Sequence, residues 1–223
     1  MTDARAEILA RLRDHRSETG PPPDIPVRAI DWDPAERLAR FRQMIEAVRG
    51  EVHLIGEDGV GDDWPVQLAA LLQQKGAGNL RYGPDGPLAA ELTSRWPAAG
   101  PALIPHTESI EDCRDVLFGA TDAGLTSCRA AIAETGSLVL WPTPEEPRLL
   151  SLVPPIHCVL LDAEQIVSTL HELMHREHWS DGLPTNALLI SGPSKSADIE
   201  QTLAYGVHGP AQLIVLVRTT GSA

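Results

Sequence analysis

Short aliphatic runs alternate with helical stretches along this chain, each joint marked by glycine or proline, and no other feature constrains the fold as much. Val52–Ile55, Asn79–Tyr82 and Ala102–Ile104 read as strands, separated by helical stretches near 65–75 and 87–96. Parallel strands need a crossover of a dozen or more residues, and those helices supply it. Beyond residue 150 the pattern resumes, with strands expected at 156–161, 187–190 and 212–217 and helices at 163–178 and 197–204. This alternation predicts an α/β fold around a mostly parallel sheet. The middle departs from it. Gly124–Thr126, Ala131–Ala133 and Ser137–Trp141 are strand-like pieces joined by turns too short for a crossover, so antiparallel pairing and a mixed sheet are expected.

Ahead of the alternation, residues 2–16 place Ile8, Leu9 and Leu12 on one helical face, and SETGPPPDIP then interrupts regular structure. Residues 1–31 are therefore read as a helical arm on a proline-rich linker, and 32–220 as one α/β domain. That domain opens with a well-marked helix: Asp33 as N-cap, Pro34 at the first position, Glu36 completing a capping box, Leu38, Phe41, Ile45 and Val48 in register, and Gly50 at the stop. With 43% hydrophobic and 22% charged residues over 223 positions, the chain holds enough apolar surface for a core without disulfides or a structural metal. Its 31 acidic against 18 basic side chains, a net charge of −13, disfavour a polyphosphate partner, so no nucleic acid is expected. No apolar run approaches the roughly 18 residues of a membrane span, and the opening residues lack a secretory apolar stretch. A cytoplasmic location is expected. Cys113, Cys128 and Cys158 are too few for a cluster held by four cysteines, so no redox centre is expected within the chain.

Several constellations could carry chemistry. His171–His175 spells HELMH, the pattern in which two histidines one turn apart hold zinc and a glutamate activates water. A helix through 163–178 would put its apolar stripe on Ile166, Leu170, Leu173 and Met174, with His171, His175 and His178 turned toward the polar side. A zinc hydrolase is thus a minor alternative, and no metal site is assigned. Ile190–Glu200, ISGPSKSADIE, runs from a strand into Ser191, Gly192, Pro193, Ser194, Lys195 and Ser196 and then into the helix expected at 197–204. Free N–H groups, hydroxyls and one lysine at a helix N-terminus would hold a phosphate or carboxylate. The plainer alternative has Ser196 capping the helix and Lys195 solvated. Glu134, before Thr135 and Gly136 at a turn, could act as base or nucleophile, or point into water. Arg148, in a proline-rich loop with Glu145 and Glu146, could clamp a carboxylate or pair with those acids. His157 and His208 stand at the starts of apolar strands, where histidines are most often structural.

Taken together, IAETGSLVLWPTPEEPRLLSLVPPIH, SGPSKSADIEQTL and GVHGP resemble the lactate-utilisation protein C family, the LUD-domain proteins of bacterial lactate operons. The likeness is densest from about residue 120 to 217. It implies a three-layer α/β/α fold with a mixed, mostly parallel sheet, similar to ribose-phosphate isomerase, glucosamine-phosphate deaminase and the CoA transferases, and a role beside two iron–sulfur proteins in oxidising L-lactate to pyruvate. On that reading the clusters belong to the partner proteins, and this chain is an accessory or ligand-binding subunit that takes a small anion. By position, the resemblance singles out Glu134, Thr135, Gly136, Arg148, His157, Ser191, Gly192, Ser194, Lys195 and His208. A stand-alone enzyme of the sugar-phosphate or CoA-transferase class, using Glu134 as nucleophile, is the alternative.

Overall fold

A computed structural model describes residues 4–14, 30–56, 63–108, 110–197 and 203–219. Helix α1 (Ala4–Asp14) buries none of its residues. Helix α2 (Pro34–Ala47) begins as expected, the Asp33 side chain accepting from Glu36 N–H at 2.9 Å. The box is only half formed, because the Glu36 carboxylate receives Arg40 instead. The stop comes one residue early: Arg49 takes the left-handed conformation (φ 72°), and the N–H groups of Arg49 and Gly50 return to Glu46 and Ile45.

Six strands form the central sheet. Strand β1 (Glu51–Ile55) leads to α3 (Trp64–Gln74), β2 (Asn79–Tyr82), α4 (Ala89–Arg95) and β3 (Ala102–Pro105). Helix α5 (Ile110–Gly119), which sequence reading did not anticipate, precedes β4 (Ala123–Ser127). The chain then leaves this sheet for β5 (Ala130–Ile132) and β6 (Ser137–Leu140), turns through α6 (Leu149–Leu152), and returns with β7 (Ile156–Asp162). Strand β8 (Ile166–Val167), α7 (Leu170–Arg176), β9 (Leu188–Ile190), β10 (Lys195–Ala197) and β11 (Leu203–Tyr205) follow before β12 (Gln212–Arg218). The central order is β1-β12-β7-β4-β2-β3, parallel throughout. In a second sheet, β8-β5-β6-β9, β6 runs antiparallel to β5 and β9 while β8 is parallel to β5, and β10 with β11 makes a separate antiparallel pair. The expected mixture of directions is thus divided between separate sheets.

Alternation of side chains builds the layers. In β12, Leu213, Val215 and Val217 face α2 and the small sheet, while Ile214 and Leu216 face α3 and α4. The small sheet is itself two-sided: Ala131, Leu138 and Ile166 pack inward, and Ile132, Val139 and Val167 pack outward against Leu173 of α7. The mostly parallel sheet flanked by helices therefore stands, with one flank shared between α2 and a sheet. Among the described residues no helix is long and apolar enough to cross a membrane.

Two expected helices are corrected. Residues 163–178 are not one helix: Ala163–Gln165 form a 3-10 turn capped by Asp162, Ile166 and Val167 pair with Ala131 and Ile132, and Thr169 caps a fresh start at α7. The β-branched pair gains strand partners there, which outweighs local helix propensity. The helix expected at 197–204 is also overturned, since β10 and β11 pair as antiparallel strands, Lys195 opposite Tyr205. Residues 198–202 lie outside the described ones.

Candidate functional site

A cavity of about 220 Å³ lies where the loop after β9 crosses the 206–210 turn above the starts of β7 and β12, with α6 closing one side. Five positions singled out in the sequence line it: His157, Ser191, Gly192, Ser194 and His208. Backbone bonds hold the crossing, Ser194 N–H donating to Pro210 O at 2.8 Å and Gly206 N–H to Ser194 O at 3.0 Å. Gly192 makes the loop possible. Its φ is 144°, and a Cβ there would meet Val48 Cγ2 at 2.8 Å, so an L side chain is excluded by both conformation and space. Because this loop runs into β10, SGPSKS is not a helix N-terminus. The helix-dipole argument for anion binding falls away, and Ser196 is a strand residue opposite Ala204 rather than a cap.

His157 is buried in the cavity wall, only 1% exposed, and Ser151 is buried there too. Its Nε2 lies 2.9 Å from Thr126 Oγ1, while Nδ1 is buried without a hydrogen-bond partner. Burial lowers the imidazole pKa from its usual value to about 3, so the ring is neutral at ordinary pH. Ser151 Oγ donates to Arg148 O at 2.8 Å and so offers the cavity lone pairs. A chain of hydroxyls leads outward from the wall: Ser191 Oγ to Ser137 Oγ, and Ser137 Oγ to Thr135 Oγ1, each at 2.7 Å. Thr126, Ser137 and Ser151 were not singled out from the sequence. No signal in the sequence marks Thr126, whose role comes from His157 in the neighbouring strand β7.

The remaining candidates sit elsewhere. Lys195 is exposed at the start of β10, directly after Ser194. Glu134 is exposed in the β5–β6 turn, its N–H bonded to Ser168 O at 3.0 Å. Gly136 in the same turn has φ 63° and presses on α2, where a Cβ would come within 2.6 Å of Ile45 N. Among the described residues, Glu134 is not part of the wall of the cavity that His157 and Ser191 line. Arg148 is exposed at the start of α6 and forms no ion pair among the described residues. The pairing with Glu145 or Glu146 weighed from sequence is not formed: Glu146 instead accepts from Ser127 N–H and Oγ, and burial nevertheless pushes its carboxyl pKa up.

Sequence reading missed a second, larger cleft of about 470 Å³ at the carboxyl ends of β4, β7 and β12. There Arg218 bridges Asp162 at 2.5 Å and Glu91 at 3.3 Å. Across the cleft, Arg129 binds Glu177 and lies over the Trp141 ring at 5.1 Å. The signal was a charged residue ending each apolar strand, IHCVLLD and QLIVLVR. HELMH takes a different form from the zinc pattern. Its exposed His171 and His175 stack edge to face at 4.3 Å, while Glu172 accepts from Ser168 N–H and pairs with Arg37. Among the described residues no group of three or more His, Cys, Asp or Glu is placed to hold a metal ion. Cys128 and Cys158 are buried thiols whose pKa values burial raises, to about 12 for Cys128.

Against this geometry, the chain was compared with known proteins. Residues 38–217 match the family model of the LUD domain. An uncharacterized protein of Neisseria meningitidis serogroup B is 34% identical over 96% of this chain and 92% of its own length. Lactate utilization protein C of Geobacillus thermodenitrificans is 27% identical over 84% of this chain and 85% of its own. Among solved structures, a DUF162 family protein from Deinococcus radiodurans superposes with a TM-score of 0.59 at 23% identity, covering 84% of this chain and 99% of that one.

Proposed function

The chain belongs to the LUD-domain family, and on that premise we propose that it serves lactate utilisation as a ligand-binding or accessory subunit, taking a small anion at the cavity beneath the SGPSKS loop. One observation carries the reading: five positions from three separate segments, His157, Ser191 with Gly192 and Ser194, and His208, converge on a single cavity. The likeness to lactate utilization protein C of Geobacillus thermodenitrificans along most of both chains supports the lactate assignment. With three cysteines the chain cannot supply four to a cluster, so in this reading electrons pass to two iron–sulfur partner proteins in the cytoplasm. Lys195, directly after Ser194, supplies the positive charge nearest the cavity in sequence.

Growth of a deletion strain on L-lactate as sole carbon source, against glucose, tests the role. Loss of growth confined to lactate and restored by the wild-type gene is expected, with Lys195→Ala folding normally yet failing to restore it. Normal growth on lactate, in a strain with no second lactate-oxidising route, overturns the assignment.

A further inference from the structure

The larger cleft stands where the chain changes direction across the central sheet. From β2 the chain runs outward to β3, whereas from β4 it runs the other way, to β7 and then β12, although β2 and β4 are parallel neighbours. Loops that leave adjacent parallel strands in opposite directions open a crevice above the carboxyl ends, the usual ligand seat of an open α/β sheet. This cleft is that crevice: Pro87 and Leu88 come from the loop after β2, Ser127 and Arg129 from the end of β4. Its walls are fastened without a ligand. Ser127 N–H and Oγ both donate to Glu146, and the loop after β2 lies against the same segment at Gly83, where a Cβ would collide with Glu145 O. At about 470 Å³ the space falls within the range of small-molecule sites.

Charge and shape limit the occupant. Both arginines of the wall are already paired, Arg218 with Asp162 and Glu91 and Arg129 with Glu177, and among the described residues no lysine lines the cleft. A phosphate or carboxylate would enter without spare positive charge, leaving its desolvation uncompensated. A hydroxyl suits an arginine–carboxylate pair better, because it donates to the acid and accepts from the guanidinium without changing the net charge. Arg218 with its two acids offers that combination twice, which matches two adjacent hydroxyls. These groups are reachable, Asp162 and Arg218 keeping 38% and 40% of their side chains exposed. Arg129 adds a flat surface, since its guanidinium lies over the Trp141 ring at 5.1 Å while its side chain stays 51% exposed. Planar rings stack on such a group.

We propose that this crevice is a second binding site, for a ribonucleoside, with the vicinal hydroxyls of the ribose between Asp162, Glu91 and Arg218 and the base against Arg129. It is separate from the cavity beneath the SGPSKS loop. His157 and Leu213 of that cavity stand near the beginnings of β7 and β12, whereas Asp162 and Arg218 end the same strands. At the rise of an extended strand, His157 and Asp162 are about 16 Å apart.

Calorimetric titration of the full chain with adenosine, 2′-deoxyadenosine, D-ribose and AMP tests the assignment. Adenosine is expected to saturate. 2′-Deoxyadenosine, which lacks one of the two hydroxyls, and D-ribose, which lacks the base, are each expected to bind about tenfold or more weakly. AMP should bind no more tightly than adenosine. Asp162→Asn and Arg129→Lys should each weaken adenosine by a similar factor, the second keeping the charge while losing the plane. Arg129 is half-exposed, so its variant carries the test even where Asp162→Asn lowers the melting temperature. Equal affinity of adenosine for 2′-deoxyadenosine or for D-ribose overturns the ligand class, as does tighter binding of AMP. Adenosine binding that is unchanged in Arg129→Lys overturns its placement, and absence of adenosine binding overturns the site.

Discussion

A neutral imidazole sealed beneath the 206–210 turn ties the stability of the molecule to pH in one direction. The folded pKa of His157 is about 3, below the ordinary 6.5, so between those values the unfolded chain holds more protons than the folded one. Stability is intact above about pH 6.5 and falls as pH drops toward 3, by about 1.4 kcal/mol per unit from this group. His208 is the other titratable side chain of the described cavity wall, and comparing variants cancels its share. Denaturant unfolding of the wild type and His157→Gln at pH 6 and pH 4 should show the difference between them narrow by roughly 2–3 kcal/mol; a difference that stays constant contradicts the assigned burial. Gly136 makes a second demand at this scale. With φ 63° and Ile45 N within 2.6 Å of a would-be Cβ, Gly136→Ala should cost about 2 kcal/mol in the same assay. Both positions could be picked out because they lie in segments with a recognisable family pattern. Thr126 and Ser151 could not, because their importance comes from what lies across from them, His157 and the carbonyl of Arg148.

At the scale of elements, the segment 163–178 shows where local signals lead astray. AEQIVSTLHELMHREH has the spacing of an amphipathic helix, yet two of its residues add a strand to β5 and only Leu170–Arg176 are α-helical. No pattern within the segment announces the partner strand, with Ile166 pairing back to Ala131 and Val167 to Ile132. The same lesson holds for 197–204, where the strand pairing of β10 with β11 replaces the helix that would have made SGPSKS an anion cradle. The consequence for α7 is an order of sensitivities opposite to that of a zinc helix. His171 and His175 are exposed and touch chiefly each other, so replacing both with alanine should leave growth on lactate intact and the melting temperature within about 2 °C. Glu172 holds the Ser168 N–H at 2.7 Å and Arg37 at 3.4 Å, and Glu172→Ala should cost about 1–3 kcal/mol. Loss of growth and of bound zinc in the double histidine variant would restore the metal reading.

Across the whole molecule, the parallel alternation was legible because each strand–helix unit carries its own turn residues, whereas the division into two sheets was not. Only Cys128 and Arg129 separate β4 from β5, which reads as a hairpin, yet β4 pairs with β2 and β7 while β5 pairs with β6 and β8. Strands buried on both faces give no sign of which sheet they join. Helix α1 poses the opposite case, an element whose sequence pattern is clear and whose packing is not part of any core. Ile8 and Leu12 are 59% and 64% exposed, and no residue of the helix is buried. An 11-residue helix gains little stability from its own backbone, so its apolar stripe is not what holds the α/β body together. Removing residues 1–14 should therefore leave the melting temperature within about 2 °C, since about 1 kcal/mol corresponds to about 2–4 °C in a chain of this size. A fall of more than about 4 °C would mean that α1 covers apolar surface of the body, and Leu12→Asp in the full chain should then reproduce most of the loss.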